Sequence, residues 1–395
     1  MTAAAPGRPS GRPSRRLVWM LPAGLSLLAG LDAALLLIGV RAPVTTARLP
    51  EVHGMLLVLG FVATLISLER ASALGRWYGF VAPALLGVGG VALIADPVPL
   101  TVAKALLAAG MAAFTLLYLP LWRRQYDPLV LTQLLAAALG MVGAIIWLGQ
   151  PTMDRPLPWL IAFVVLTIAA ERVELARITM GATAGQRMLV HAWAVSLALL
   201  LGIALPEIGA IALGLVICAL AVWLIQHDIA RRTVRTTGVT RYMAACILAG
   251  YVWLVVAGVA LTFGSPTAQP VYDAVTHAIF LGYTMSMIMA HATTILPAVL
   301  GIKLPYRPAF WVPAAILQLS LLVRLWLGDA LGIPVAWTVG GTLAVVALLL
   351  FLVTAVVTAV QANATPRSPT PAPTPTPRSA APAPTPAADP SQGHR

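Results

Sequence analysis

His277 and His291 lie fourteen residues apart in one apolar run, 271–297, where an imidazole can hold a metal or pass a proton. On an α-helix they would stand roughly 21 Å apart along the axis and about 40° apart around it. One helix would then offer an imidazole towards each end. His53 opens a second apolar run, 52–68, within Glu51-Val-His-Gly-Met-Leu-Leu-Val-Leu-Gly-Phe. Ionisable side chains are costly in lipid, so where they occur they face partners or a cavity. Neutral imidazole nitrogen suits iron and copper, so the chemistry to expect is haem or transition-metal ligation.

The elements that must position these residues follow from composition. Hydrophobic residues make up 59% of the 395 and charged residues 10%, with mean hydropathy +0.90, too little charge to cover a soluble surface. The expected fold is all-α, a polytopic membrane bundle of about twelve transmembrane helices spanning 17–360. A basic cytoplasmic tail, 1–16, precedes it, and a disordered cytoplasmic tail rich in Pro, Ala and Thr, 361–395, follows. The residues before the first run are Arg- and Pro-rich, so that run reads as a retained helix rather than a cleaved signal. The seventh and eighth runs are separated only by Leu205-Pro206-Glu207, which predicts a tight hairpin, with one long broken helix as the alternative. With both termini inside, 20 of the 25 Lys and Arg fall on the cytoplasmic side and 4 outside, while Arg324 lies within the eleventh helix. The chain is thus expected in the cytoplasmic membrane. The net charge of +12 reads as headgroup anchoring and not as nucleic-acid binding.

Topology converts sequence position into depth. His53 and His277 both fall near the outer ends of their helices and could supply the axial pair of a b-type haem, or two ligands of copper. Arg324 is a candidate partner for the propionates, with Arg48 a second. Pairing of Arg324 with Asp32 is the structural alternative. An inner set comprises His291, His191 at the start of the seventh helix, and Glu171, as candidate metal ligands. Glu171 and Glu174 share a face suited to a cation site or proton relay, and Glu174 and Arg177, three apart, can pair with each other. His227 reads as interfacial, and His394 lies in the tail. Among the methionines near His291, only Met287, four residues before it, is placed to share its site. Cys218 and Cys246 fall inside helices as small buried hydrophobes. No Walker, CxxCH or HExxH motif occurs.

The His53 segment, His-Gly-Met-Leu-Leu-Val-Leu-Gly-Phe-Val-Ala, is followed by Gly75-Arg76-Trp77 and resembles the NnrS family of membrane proteins. The segment Thr-His-Ala-Ile-Phe-Leu-Gly-Tyr-Thr-Met-Ser-Met-Ile-Met-Ala around His277, and the run Leu-Leu-Val-Arg324, continue the likeness. That resemblance implies a twelve-helix protein containing haem and copper, associated with nitric oxide stress or denitrification. Nitric oxide or another small diatomic would be its ligand, and a redox partner is implied. The sequence departs from the family where Glu51 and Val52 replace a second early histidine. It departs again where His291-Ala-Thr-Thr and Gly301-Ile-Lys-Leu stand for Gly-His-Thr-Gly-Arg. A wider likeness, at His53-Gly54-Met55, is to subunit I of haem-copper oxidases and nitric oxide reductases. The adjacent His-His pair of their metal site is missing, which argues against oxidase catalysis. Two other functions share this composition: a proton-coupled secondary transporter using intramembrane Glu and His, and an assembly factor for a respiratory complex.

Overall fold

A computed structural model describes residues 17–265 and 267–364. Among these the fold is all-α, with twelve long helices running alternately up and down. They are α1 (Leu17–Leu37), α2 (Arg48–Leu74), α3 (Trp77–Ile94), α4 (Leu100–Gln125), α5 (Pro128–Leu148), α6 (Leu157–Leu175), α7 (Ala184–Ala204), α8 (Pro206–His227), α9 (Gly238–Phe263), α10 (Gln269–Leu300), α11 (Pro308–Ala330) and α12 (Pro334–Ala364). All but α6 are long and apolar enough to cross a membrane, which makes this a multi-pass membrane protein. The N-terminal tail and residues 365–395 lie outside the described residues. Gln361 to Ala364 do not belong to the tail as expected; they continue α12.

The exception explains itself by position. The last turn of α6 carries Glu171, Arg172 and Glu174, too much charge for a lipid-facing span, yet 15 of its 19 residues are buried. A helix apolar all round, with charges at one end, is stable where other helices surround it. Neighbours in sequence pack as antiparallel hairpins, α3 with α4, α4 with α5, α5 with α6, α8 with α9 and α11 with α12. The expected α7–α8 hairpin is present, with Leu205 alone between the helices; a Cβ on Gly209 would lie 2.2 Å from the Gly202 Cα, so only glycine allows that approach.

Three helices contain π-helical stretches. Leu56–Ala63 in α2, Ala278–Met285 in α10 and Leu322–Ala330 in α11 are π-helical, with hydrogen bonds reaching back five residues. Two of these stretches are followed or closed by threonines that bond five residues back, Thr64 Oγ1 to Leu59 O at 3.3 Å and Thr284 Oγ1 to Ile279 O at 2.9 Å. Such wide turns are rare and concentrate at functional sites. They also correct the angle expected between His277 and His291, which assumed uniform α-helix across a segment that holds eight π-helical residues.

The α1, α2 and α3 crossing depends on small residues. A Cβ on Gly90 would lie 2.4 Å from Ser26 Oγ and 2.9 Å from the Gly60 Cα, whereas one on Gly24 would meet nothing within 4 Å. G90A is expected to destabilise the protein by about 1–3 kcal/mol through overpacking, and G24A to stay within about 0.5 kcal/mol of the parent. Thermal unfolding of both variants in one detergent checks the difference; equal melting points would contradict this packing.

Candidate functional site

A cavity of about 430 Å³ opens between α1, α2, α10, α11 and α12, closed over by the α5–α6 connection, and His53, His277 and Arg324 all line it. Sequence position alone left the proximity of α2 and α10 assumed; the two helices share this cavity. Each histidine is oriented by the main chain. His53 Nδ1 is 2.8 Å from Gly30 O on α1. Gly30 permits the close approach, since a Cβ there would sit 2.5 Å from Leu57 Cδ2. His277 Nδ1 is 2.9 Å from Asp273 O, one turn earlier, and 3.3 Å from Asp273 Oδ1. A carbonyl accepts, so in both rings Nδ1 carries the proton and Nε2 presents a lone pair. Among the described residues neither Nε2 makes a hydrogen bond.

Arg324 is held by a carboxylate other than the expected one. Its Nε and Nη2 donate to Asp273 Oδ2 and Oδ1, each at 2.8 Å, and its guanidinium lies 4.6 Å from the Trp337 ring centre. Asp32, the partner weighed from sequence, instead accepts from Val44 N–H at 3.1 Å. Asp273 stands one helical turn from His277 on the same face, whereas Asp32 belongs to α1. Gly340 and Gly341 on α12 admit the arginine, because a Cβ on Gly341 would lie 2.7 Å from Nη1. Arg48 does not reach the cavity lining; its Nη1 donates to Ala95 O at 2.9 Å and Val98 O at 2.7 Å.

The inner set divides. His291 and Glu171 line one cavity of about 200 Å³ at the other end of α2, α6 and α10. His191 does not join them. It is partly exposed on α7, with its ring stacked on Trp223 at 5.3 Å and Nδ1 bonded to Arg187 O, because α7 packs on α8 away from this cavity. Among the described residues no three His, Cys, Asp or Glu side chains gather as a metal-binding group. Met287 does share the site of His291, through its carbonyl, which accepts from Nδ1 at 2.9 Å, as well as through its side chain in the wall.

The charges near Glu171 form two networks. Arg70 of α2 sits 3.1 Å from both Glu69 and Glu171 and 3.8 Å from Glu174. The expected Glu174–Arg177 pair does not form, because α6 ends at Leu175 and turns Arg177 away to Asp127. Arg172 binds Asp228 through Nε at 2.6 Å and Nη2 at 2.7 Å; Tyr251 Oη and Ala230 N–H complete the carboxylate at 2.7 and 2.8 Å. Asp273, Trp337, Arg70 and Asp228 are the site residues that sequence reading missed. Asp273 alone left a signal, as an acid four residues before an intramembrane histidine.

The chain belongs to the family described as Domain of unknown function (DUF8744), which matches residues 16–360 and so covers the twelve helices up to the last turn of α12. A comparison with curated proteins gives no match.

The Asp228 side chain is fully buried and that of Arg172 is 9% exposed, so neither charge has water to fall back on. D228A is expected to cost about 3–5 kcal/mol, as removal of one partner of a buried pair does, and R172M/D228L to recover most of it. Burial by itself raises the Asp228 carboxyl, but its bonds from Arg172, Ala230 and Tyr251 outweigh burial and hold it below the ordinary carboxylate range. Its contribution is therefore complete at neutral pH and is lost as pH falls below that range. Unfolding followed against pH should show this acid limb in the parent and its loss in D228N; parallel curves would contradict it.

Proposed function

We propose that the chain, as a member of that family, is a haem-binding protein of the cytoplasmic membrane, with both termini inside. In this reading His53 and His277 are the axial ligands of one b-type haem. One observation carries it: two imidazoles line a single 430 Å³ cavity, each tied through Nδ1 to a main-chain oxygen and each with an uncommitted Nε2. Histidines that ligate metals donate their other N–H in this way, which fixes the ring and its tautomer. Asp273 adds a carboxylate 3.3 Å from His277 Nδ1, a second oxygen that holds that ring in place.

The number of donors favours a macrocycle over a bare ion. Copper or zinc draws three or four protein ligands, and no such group gathers among the described residues. Haem brings four nitrogens of its own and asks the protein for one or two. The cavity volume lies in the range of cofactor pockets, and its walls include Leu31, Leu57, Phe280 and Val345. Arg324 keeps Nη1 outside its fork to Asp273, so a propionate has a partner there, while the Trp337 indole N–H donates to Asp273 Oδ2 at 3.4 Å. When bound, the haem would supply one-electron transfer or a site for a diatomic ligand. A nitric oxide role, and copper as a second metal, rest on the NnrS resemblance alone.

Protein purified after haem-supplemented expression should carry about one iron per chain and show a sharp reduced α band. H53A and H277A are each expected to lose most of the haem while remaining monodisperse, and D273N to weaken retention through His277. Full haem in both alanine variants would overturn the assignment. A featureless spectrum of the parent would favour the proton-coupled transporter, for which the Glu69–Arg70–Glu171 cluster beside His291 is the supporting observation.

A further inference from the structure

The 200 Å³ cavity holds a polar atom that nothing in the protein satisfies. Its walls, from α1, α2, α6, α10 and α12, are apolar except for Glu69, Glu171, Arg172, Thr284, whose hydroxyl donates to Ile279 O, and His291. Arg172 is committed to Asp228, while Glu69 and Glu171 share Arg70. His291 is 8% exposed and donates Nδ1–H to Met287 O at 2.9 Å, which leaves Nε2 as an acceptor. That Nε2 is buried and has no partner. A buried acceptor left without a donor is destabilising, so the site calls for something that donates to it.

Water does not fit the walls. About 200 Å³ is room for several molecules, yet each water needs two to four polar partners, and most of this lining is hydrocarbon. The occupant must instead carry an apolar body and a neutral donor. An ammonium also donates, but it would leave its hydration behind among apolar walls, next to carboxylates already shared with an arginine. A hydroxyl on a ring donates with far less desolvation. Glu171 gives Oε1 to Arg70 and keeps Oε2, so a second acceptor belongs to the same cavity as His291. Acceptors facing the ligand select a diol over a dione. Leu175 lines the cavity and is 64% exposed, so the lining reaches the protein surface.

We propose that this cavity binds a membrane-soluble hydroquinone, with one hydroxyl donated to His291 Nε2 and the ring held against Phe61 and Leu352. The position gives the site a use. Leu348 lines both cavities, and the π-helical stretches of α2 and α10 pass from one to the other, so the ligand would lie about one helical turn below the outer site. The proposal concerns binding and does not depend on haem occupying that site.

The test is equilibrium dialysis of the detergent-solubilised full chain against decylubiquinol, decylubiquinone and decylamine, with and without haem loading. The reduced quinone is expected to bind saturably, about tenfold or more tighter than the oxidised one. H291L should lose that preference, H291Q, which keeps an acceptor, should retain part of it, and A355W should block both forms by filling the cavity. G24A, at a position that lines neither cavity, should bind as the parent does, and haem loading should leave decylubiquinol binding unchanged, which separates this site from the haem site. No saturable binding of decylubiquinol, or unchanged binding in H291L and A355W, would overturn the proposal. Tighter binding of decylamine would overturn it in favour of a cation site. Should H291L fail to fold, the comparison of redox forms and A355W decide the outcome.

Discussion

An arginine and an aspartate placed within apolar helices have no water to turn to, and the Arg324–Asp273 fork is their resolution. That one pair fixes how three helices meet at one end of the bundle. Asp273 belongs to α10, Arg324 to the π-helical part of α11, and Trp337 of α12 covers the guanidinium. Gly340 and Gly341 bring the α12 backbone close enough to seat the charge. The same carboxylate stands beside His277, so the fork also sets the ring that shares the cavity with His53. Breaking the fork would release three helices and one imidazole together.

The other end of the bundle repeats the solution with different residues. Arg172 at the end of α6 meets Asp228 just beyond α8, with Tyr251 of α9 closing the carboxylate. Charge therefore locks both ends while apolar packing fills the middle, where the two cavities lie one above the other along α2, α10 and α12. The wide turns of α2 and α10 fall between them. A π-helical stretch offsets the side chains that follow it, which is how α10 presents His277 to one cavity and His291 to the other.

Hydropathy made the helices legible, since twenty apolar residues in water have few alternatives to a membrane span, and even the Leu205 hairpin could be read. His53, His277 and Arg324 stood out for a related reason: each is an ionisable group in an apolar run, and the structure brings all three to one cavity. What failed were inferences about partners. The sequence offers Asp32 as a partner for Arg324, and spacing offers Glu174 for Arg177, but an ion pair depends on where helices end and cross, which the sequence does not encode locally. His191 was grouped with His291 by depth, and depth says nothing of which neighbour a helix packs on. The π-helical stretches left no readable signal either, because their residues are those of any membrane helix.

The most direct test of the outer site is the low-temperature electron paramagnetic resonance spectrum of the oxidised, haem-loaded protein. Two imidazole nitrogens reaching one iron predict a rhombic low-spin signal, converting to high spin when either His53 or His277 is replaced by alanine. A high-spin axial signal in the parent would mean that no more than one of these rings reaches the iron, and would contradict the shared site.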